Sequence, residues 1–209
     1  MHSIDVKNIT KESYQVTSNQ FADNVAGLAP IASIEKFLKL MPSNASIIDI
    51  GCGSGRDAKL FTEMGASVLG IDFSKNLVDI AQQTAPLASF QLMDIEAMDF
   101  SASSFNGVWA ACSLGHISKN TLPMVFNKIH AILKDEGIFY LTLKEGRGEV
   151  LEQDVRYEGN IKKFVAYYQA EELEEVLQTA QFKILDLALV EKNHSYQTHS
   201  VFRVFCQKA

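Results

Sequence analysis

The sequence is poor in cysteine and has no long apolar run. Its three cysteines, Cys52, Cys112 and Cys206, are far apart and odd in number, which argues against a disulfide framework and favours a reducing compartment. No pair of them has the Cys-x-x-Cys spacing of zinc sites, so we expect no bound metal. No apolar run approaches the roughly 20 residues that span a bilayer, and the N-terminus lacks the basic residues of a signal peptide. We therefore predict a cytoplasmic protein that contacts no membrane.

Positive charge is scarce as well. The net charge at pH 7 is −6, and the 19 lysines and arginines are scattered along the chain. No basic stripe is therefore available for a phosphate backbone, and nucleic acid is disfavoured as a partner. Hydrophobic residues make up 47% of the 209 residues, which is enough for the core of a single domain over 1–209. The composition does not indicate an oligomeric state.

Strand-like and helix-like patterns alternate along the chain, which predicts a mostly parallel sheet covered by helices. Apolar segments typical of strands cover 46–50, 67–71, 90–93, 108–111 and 138–143, and helical apolar spacing marks 56–64, 75–82, 122–133 and 173–180. The segments 182–190 and 200–206 are also typical of strands but have no helical pattern between them. We expect these two to pair as an antiparallel hairpin at the end of the sheet.

Two segments lie outside this alternation. The N-terminal segment 1–45 is predicted to be helical, with one helix over 30–41 that begins at a proline. The connection over 144–169 is about 25 residues long, and structureless connections of that length are uncommon and usually functional. We therefore expect 144–169 to contribute to a substrate site.

A glycine-rich turn follows the first predicted strand, and a single carboxylate follows the second. The turn is Asp49–Gly55, and the carboxylate is Asp72. Such a strand–turn–helix–strand unit holds a nucleoside, because glycines let the backbone approach and the carboxylate accepts from the ribose hydroxyls. A dinucleotide fingerprint would have its third glycine where this chain has Arg56. A nicotinamide cofactor is therefore the weaker interpretation.

Taken together, these residues resemble the class I, Rossmann-like S-adenosylmethionine-dependent methyltransferases, in particular small bacterial members of unassigned substrate. The turn 49–55 looks like the first motif of that family, and Asp72 looks like the acidic residue of its second strand. Further likenesses are found at Asp94 with Ile95, over 98–109 and over 133–137. The resemblance implies an α/β, three-layer fold. Its seven-stranded, mostly parallel sheet would have the order 3-2-1-4-5-7-6, with the last strand antiparallel and helices on both faces.

The resemblance also implies the cofactor S-adenosyl-L-methionine and the residues that would bind it. Gly51 and Gly53 would approach its methionine portion through backbone, and Asp49 would help to position the amino acid end. Asp72 would accept from both ribose hydroxyls. The remaining implied contacts are Phe73, Asp94 and Ile95 at the adenine, Ala111 near the sulfonium arm, and Tyr14 as a residue that closes over the cofactor.

Methyl transfer from a sulfonium makes few demands on catalytic side chains. The protein mainly has to align the acceptor about 3–3.5 Å from the methyl group and exclude water, and a general base is needed only for a protonated acceptor. His116, just past the fourth strand, is the best candidate for a catalytic base, although it could also be a loop histidine held by a carbonyl. Asp94 could likewise have only a turn role. Cys112 is expected to be a buried structural thiol.

We therefore predict an S-adenosylmethionine-dependent methyltransferase that acts on a small molecule. Relatives that methylate DNA bases have an Asn/Asp-Pro-Pro-aromatic signature after the fourth strand, and 111–114 has no proline. Two alternatives stay open: a non-catalytic S-adenosylmethionine-binding module that regulates a partner, and a nicotinamide-dependent oxidoreductase. The Tyr-x-x-x-Lys pair at Tyr140 and Lys144 does not favour the oxidoreductase, because in a strand the two side chains lie about 13 Å apart.

Overall fold

A seven-stranded sheet forms the centre of the molecule. The computed structural model describes residues 3–192 and 194–209. The strands of the large sheet are β1 Ser46–Ile50, β2 Ser67–Asp72, β3 Ser89–Leu92, β4 Phe105–Ala110, β5 Leu133–Lys144, β8 Phe182–Val190 and β9 Val201–Lys208, and a separate pair consists of β6 Glu149–Gln153 and β7 Lys162–Ala166. The helices are α1 Ser3–Val25, α2 Ile31–Lys39, α3 Arg56–Glu63, α4 Lys75–Thr84, α5 Leu122–Ile132 and α6 Ala170–Thr179.

The order of the large sheet is β3-β2-β1-β4-β5-β9-β8. Strands β1 to β5 pair in parallel, whereas β9 runs antiparallel to both β5 and β8. When only the strands of this sheet are numbered, the order is 3-2-1-4-5-7-6 with the last strand antiparallel. The predicted fold is therefore confirmed. Strand β5 begins five residues earlier than predicted, at Leu133, because a register shift between Phe105 and Gly107 extends its pairing with β4.

Apolar side chains fill both faces of the sheet, which gives the three layers. On one face, α5 contributes Val125, Phe126 and Ile129, all fully buried. On the other face, Trp109 of β4 and Tyr140 of β5 stack with their ring centroids 3.7 Å apart. Tyr140 and Lys144 both lie in strand β5, where residues four positions apart are about 13 Å from each other. They are therefore too far apart to act as the catalytic pair of an oxidoreductase.

The connection over 144–169 is folded, contrary to the absence of any predicted element there. Strands β6 and β7 pair antiparallel as the β6–β7 hairpin, and α1 lies against β7. This contact is made largely by hydroxyl groups: Ser13 Oγ donates to the Lys162 carbonyl at 2.7 Å, and the Phe164 amide donates to Thr10 Oγ1 at 2.9 Å. Helix α1 and the hairpin thereby become walls at the carboxyl edge of the parallel strands. Over the described ranges, no helix is both long and apolar enough to cross a membrane.

Candidate functional site

A cavity of about 430 Å³ lies over the carboxyl ends of the parallel strands, where sheets of this kind bind their ligands. Its floor is the sheet edge, and α1, the β6–β7 hairpin and residues of the segment 194–199 form its walls. All ten residues selected from the sequence line this cavity: Tyr14, Asp49, Gly51, Gly53, Asp72, Phe73, Asp94, Ile95, Ala111 and His116. The structure brings them together, whereas their individual roles stay predictions.

The glycine-rich turn leaves no room for side chains. Gly51, Gly53 and Gly55 have φ angles of +75°, +54° and +78°, a region that favours glycine. A Cβ atom on Gly51 would lie 2.3 Å from the Cβ of Ser113, and one on Gly53 would lie 3.0 Å from a ring carbon of Phe21. At Gly51 and Gly53 the turn therefore presents backbone to the cavity.

Two buried carboxylates lie beside this turn. Asp72 accepts hydrogen bonds from the Gly53 amide at 3.0 Å and from the Ser74 amide at 2.8 Å. Burial nevertheless raises the pKa of Asp72 to about 6. Burial and the nearby Asp57 raise the pKa of Asp49 well above its usual value, and no donor among residues 3–192 and 194–209 reaches its carboxylate within hydrogen-bond distance. A buried carboxylate in this state is suited to a cationic or hydrogen-bond-donating ligand.

Asp94 takes part in a turn and also lines the cavity. Its Oδ1 accepts from the Glu96 amide at 3.0 Å and caps the short 3-10 turn Ile95–Ala97. Its other oxygen pairs with Lys7, whose Nζ lies 3.1 Å from Glu96 Oε2. The turn role left open by the sequence is therefore present in the structure. Since the side chain is only partly covered, the carboxylate is still available to a ligand.

His116 lies at the end of a 3-10 turn, Leu114–His116, and is held at both ring nitrogens. Its Nδ1 lies 2.6 Å from the Phe164 carbonyl oxygen, which can only accept, so Nδ1 carries the proton. Nε2 then accepts from the Tyr14 hydroxyl at 2.9 Å. Burial, with Lys163 and other nearby cations, lowers the pKa of His116 to about 4. The imidazole is therefore neutral at pH 7, and the carbonyl contact considered for a loop histidine is present.

The β6–β7 hairpin adds a charged cluster that sequence reasoning missed. Arg156 donates to Asp154 through Nε and Nη2, both at 2.7 Å. Lys163 Nζ lies 3.0 Å from Asp154 Oδ2 and 3.8 Å from the centroid of the Tyr14 ring. Burial lowers the pKa of Lys163 to about 8 although Asp154 opposes this. The sequence signals for these residues were their location in the unusual connection and the likeness of Arg156-Tyr157 to small bacterial methyltransferases, and neither indicates the ion pairs.

The prediction for Cys112 is wrong. Its side chain is exposed and lines the cavity, because β4 ends at Ala110 and the chain then turns through a φ of +58° at Cys112. The Cys112 amide donates to Thr142 Oγ1 at 2.8 Å, and the thiol lies 3.2 Å from the same oxygen. The residue thus forms part of the cavity surface between β4 and β5.

The comparison with sequence families agrees with this geometry. Residues 22–187 match the sequence model of a family described as a methyltransferase domain. The chain belongs to this methyltransferase family. The predicted family and the class of cofactor that it binds, S-adenosylmethionine, are thereby confirmed.

Curated relatives match this methyltransferase-family chain over part of their length. The chain is 29% identical over 120 residues to a malonyl-[acyl-carrier protein] O-methyltransferase of Buchnera aphidicola, covering 56% of this chain and 47% of the relative. It is 27% identical over 125 residues to the trans-aconitate 2-methyltransferase of Delftia acidovorans, covering 58% and 46%. The chain thus spans about half the length of the curated relatives it matches.

Solved structures show the same fold. The 1,6-didemethyltoxoflavin-N1-methyltransferase of Burkholderia thailandensis, solved with 1,6-didemethyltoxoflavin and S-adenosylhomocysteine, superposes with a TM-score of 0.79 at 20% identity, covering 100% of this chain and 91% of that chain. A methyltransferase of Methanosarcina mazei gives 0.74 at 21% identity, covering 87% and 98%. At these identities the likeness concerns the fold alone.

Proposed function

We propose that this protein transfers a methyl group from S-adenosylmethionine to a small-molecule acceptor. The observation that carries the proposal is the position of two buried carboxylates, Asp49 and Asp72, beside the backbone that Gly51 and Gly53 present to the cavity. When bound, S-adenosylmethionine supplies a methyl group on a sulfonium, which is a good leaving group. The relatives named above act on different acceptors, so they support the reaction class without indicating the acceptor.

The cavity residues fit the parts of this cofactor. Asp49, which lacks a hydrogen-bond donor among the described residues, would accept from the ammonium group of the methionine portion. Asp72 gives one oxygen to each of two backbone amides, and a carboxylate has about four lone-pair sites. It therefore keeps acceptor capacity for the two ribose hydroxyls. Gly51 and Gly53 would contact the methionine portion through backbone.

The remaining predicted contacts complete the same proposal. Phe73, Asp94 and Ile95 would surround the adenine, and Ala111 would lie near the sulfonium arm. Tyr14 would cover the cofactor from α1. Together these groups would exclude water from the reacting atoms, which displacement at a methyl group requires.

His116 is proposed as the base for an acceptor that arrives protonated. Its neutral imidazole has one lone pair, on Nε2, and the Tyr14 hydroxyl now donates to it. An acceptor proton could reach Nε2 through Tyr14: the acceptor would protonate the Tyr14 oxygen as the Tyr14 proton moves to Nε2. For an acceptor that is already deprotonated, the pair would only position the substrate.

We also propose a cytoplasmic location and a single domain over 1–209. The three cysteines are free thiols, as expected in a reducing compartment. The large sheet and the β6–β7 hairpin line one cavity, which supports their action as a single unit.

Titration calorimetry with S-adenosylhomocysteine tests the proposed function. We expect saturable binding at or below about millimolar ligand, followed by transfer of labelled methyl groups to a member of an acceptor panel. The absence of binding in folded protein would contradict the proposal. Binding without transfer to any acceptor, together with a protein that co-purifies, would instead favour the regulatory module. Enhanced fluorescence of NADH on mixing would favour the oxidoreductase.

A further inference from the structure

The two ends of the cavity differ in charge. At the glycine-rich turn, carboxylates are in excess, because Asp49 and Asp72 form no ion pair with any described residue. This excess suits the ammonium and sulfonium groups of S-adenosylmethionine, which the proposed function places in this cavity. The end formed by the β6–β7 hairpin has the opposite excess.

Three cations and two carboxylates line the hairpin end. Lys144 Nζ lies 3.2 Å from Glu152 Oε1, which is a one-to-one pair. Asp154, in contrast, pairs with both Arg156 and Lys163. One carboxylate cannot neutralise two cations, so this wall has one positive charge in excess at neutral pH.

This excess charge is buried in an unusual place. Lys163 is 2% exposed, and among the described residues its Nζ pairs with Asp154 Oδ2 at 3.0 Å, an oxygen that already accepts from Arg156. The ammonium lies between the rings of Tyr14 and Tyr157, at 3.8 and 4.6 Å from their centroids. Ring faces stabilise a cation only partly, and a charge in a wall of low polarity acts strongly on the adjoining space.

Arg156 provides a donor that can reach a ligand directly. Asp154 occupies its Nε and Nη2, whereas among the described residues its Nη1 has only a contact of 3.5 Å to the Tyr196 carbonyl oxygen. The guanidinium lines the cavity and stacks on the Tyr196 ring at 4.5 Å from the centroid. An anionic oxygen at Nη1 would complete the coordination of this side chain.

We propose that the methyl acceptor is a small carboxylic acid with a flat body, whose carboxylate binds at Arg156 in the field of Lys163. The flat body would lie among the rings of Tyr14, Tyr196 and His116, which line the cavity. Tyr14 contacts both His116 and Lys163, and Tyr196 contacts Arg156. This inference rests on the proposed function, which requires an acceptor site beside the cofactor, and on the expectation that 144–169 contributes to a substrate site. It adds the chemical class of the acceptor.

The test compares two probes of the same shape, benzoate and benzamide, on protein saturated with S-adenosylhomocysteine. Ligand-observed NMR or calorimetry would measure both affinities. We expect benzoate to bind at least about tenfold more tightly than benzamide. Equal affinities in wild-type protein would overturn the inference, even when S-adenosylhomocysteine binds normally. Failure of S-adenosylhomocysteine to bind would count against the proposed function instead.

Two matched variants test whether Lys163 causes the preference for benzoate over benzamide. Lys163→Met removes the buried charge, and Lys162→Met removes the same charge from the adjacent position, which does not line the cavity. We expect Lys163→Met to lose most of the preference for benzoate and to keep its affinity for S-adenosylhomocysteine, and Lys162→Met to keep both. A preference that survives equally in both variants would overturn the inference. If Lys163→Met does not fold, the comparison of the two probes on wild-type protein still decides.

Discussion

The two ends of the cavity are constructed in different ways. The turn at Asp49–Gly55 with Asp72 belongs to one continuous strand–turn–helix–strand unit, from which backbone and two carboxylates line the cavity. The hairpin end collects side chains from α1, from the β6–β7 hairpin and from 194–199, which are far apart in sequence. The first construction depends on backbone conformations that favour glycine and on positions where a Cβ atom would meet a neighbouring side chain. The second depends on charged side chains among which the cations outnumber the carboxylates by one.

The largest effect is expected from a side chain in the glycine-rich turn. Gly51→Ala adds a Cβ that would meet Ser113 at 2.3 Å on a residue with a φ of +75°. The backbone costs about 1–2 kcal/mol and the overlap about 1–3 kcal/mol. Urea unfolding should therefore show a loss of about 2–5 kcal/mol, and binding of S-adenosylhomocysteine should be abolished.

Gly148→Ala, next to the β6–β7 hairpin, is the matched control. Gly148 has a φ of +79° with no atom within 4 Å of its Cβ position, so only the backbone cost of about 1–2 kcal/mol applies. Equal losses of stability in the two variants would mean that the overlap at Gly51 is relieved without cost.

A change at the hairpin end should affect stability and leave the cofactor site intact. Asp154→Asn removes the carboxylate that both Arg156 and Lys163 share, and its side chain is 4% exposed. Breaking a buried pair in this way costs roughly 3 kcal/mol, which urea unfolding would measure. We expect the affinity for S-adenosylhomocysteine to stay within about twofold of wild type.

The control for this change is Asp135→Asn, whose side chain is 98% exposed in its pair with Lys208. It should alter neither stability nor binding. If Asp154→Asn weakened binding of S-adenosylhomocysteine as strongly as it lowers stability, the hairpin end and the cofactor site would not be energetically independent.

A smaller effect is expected from Asp72→Ala. Loss of the paired acceptor should weaken binding of S-adenosylhomocysteine at least tenfold, from hydrogen bonds to a charged group that contribute roughly 1.5–3 kcal/mol. Asp79→Ala makes the same change at an exposed residue that pairs with Lys75, and calorimetry should show no change there. An unaltered affinity in Asp72→Ala would remove this residue from the site.

The smallest effect is expected from pH. Because the pKa of Asp72 is about 6 and hydroxyl donors favour its ionised form, binding of S-adenosylhomocysteine should weaken as the pH falls below about 6, by at most about tenfold per pH unit for this group. The contribution of Asp72 to stability has the opposite sign. Its folded pKa lies above the unfolded value near 3.8, so it destabilises the unliganded protein as the pH rises through this window.

Comparison of wild type with Asp72→Asn isolates both trends. The variant should lose the part of the pH dependence of binding that comes from Asp72 and keep the part that Asp49 contributes in the same direction. As the pH rises through about 6, the unfolding free energy of wild type should fall relative to that of Asp72→Asn, because only wild type ionises there. A binding profile that is identical in both proteins would show that Asp72 does not titrate in the site.

The sequence was sufficient for most of the sheet and for the floor of the cavity. Strand β1 and strand β8 begin and end where predicted, because apolar periodicity and flanking turn residues are local signals. The residues of the glycine-rich turn and Asp72 were selected because they follow predicted strands, whereas Asp94 was selected through the resemblance to the methyltransferase family. Cys112 was misjudged, because its orientation depends on a single residue with a positive φ after β4.

The walls could not be predicted because their signals are not local. Helix α1 has no apolar stripe facing the hairpin; its buried positions include Thr10, Ser13 and Thr17, which the 3.6-residue pattern of hydrophobicity does not reveal. The β6–β7 hairpin contains Lys163, whose burial contradicts the usual preference of lysine. Only the folded chain shows that Asp154 and two aromatic rings accommodate its charge.

The contacts that hold α1 across the cavity have a kinetic consequence. Ser13 and Thr10 attach this helix to β7 through hydroxyl groups, and the Gln15 carbonyl and amide oxygens accept from Asn76 and Ser74 at the start of α4. Water can replace such hydrogen bonds at little net cost, unlike the apolar contacts that hold α5. We expect the amide protons of α1 to exchange with solvent earlier than those of α5. The residence time of an enclosed ligand would then be set by how often this helix detaches.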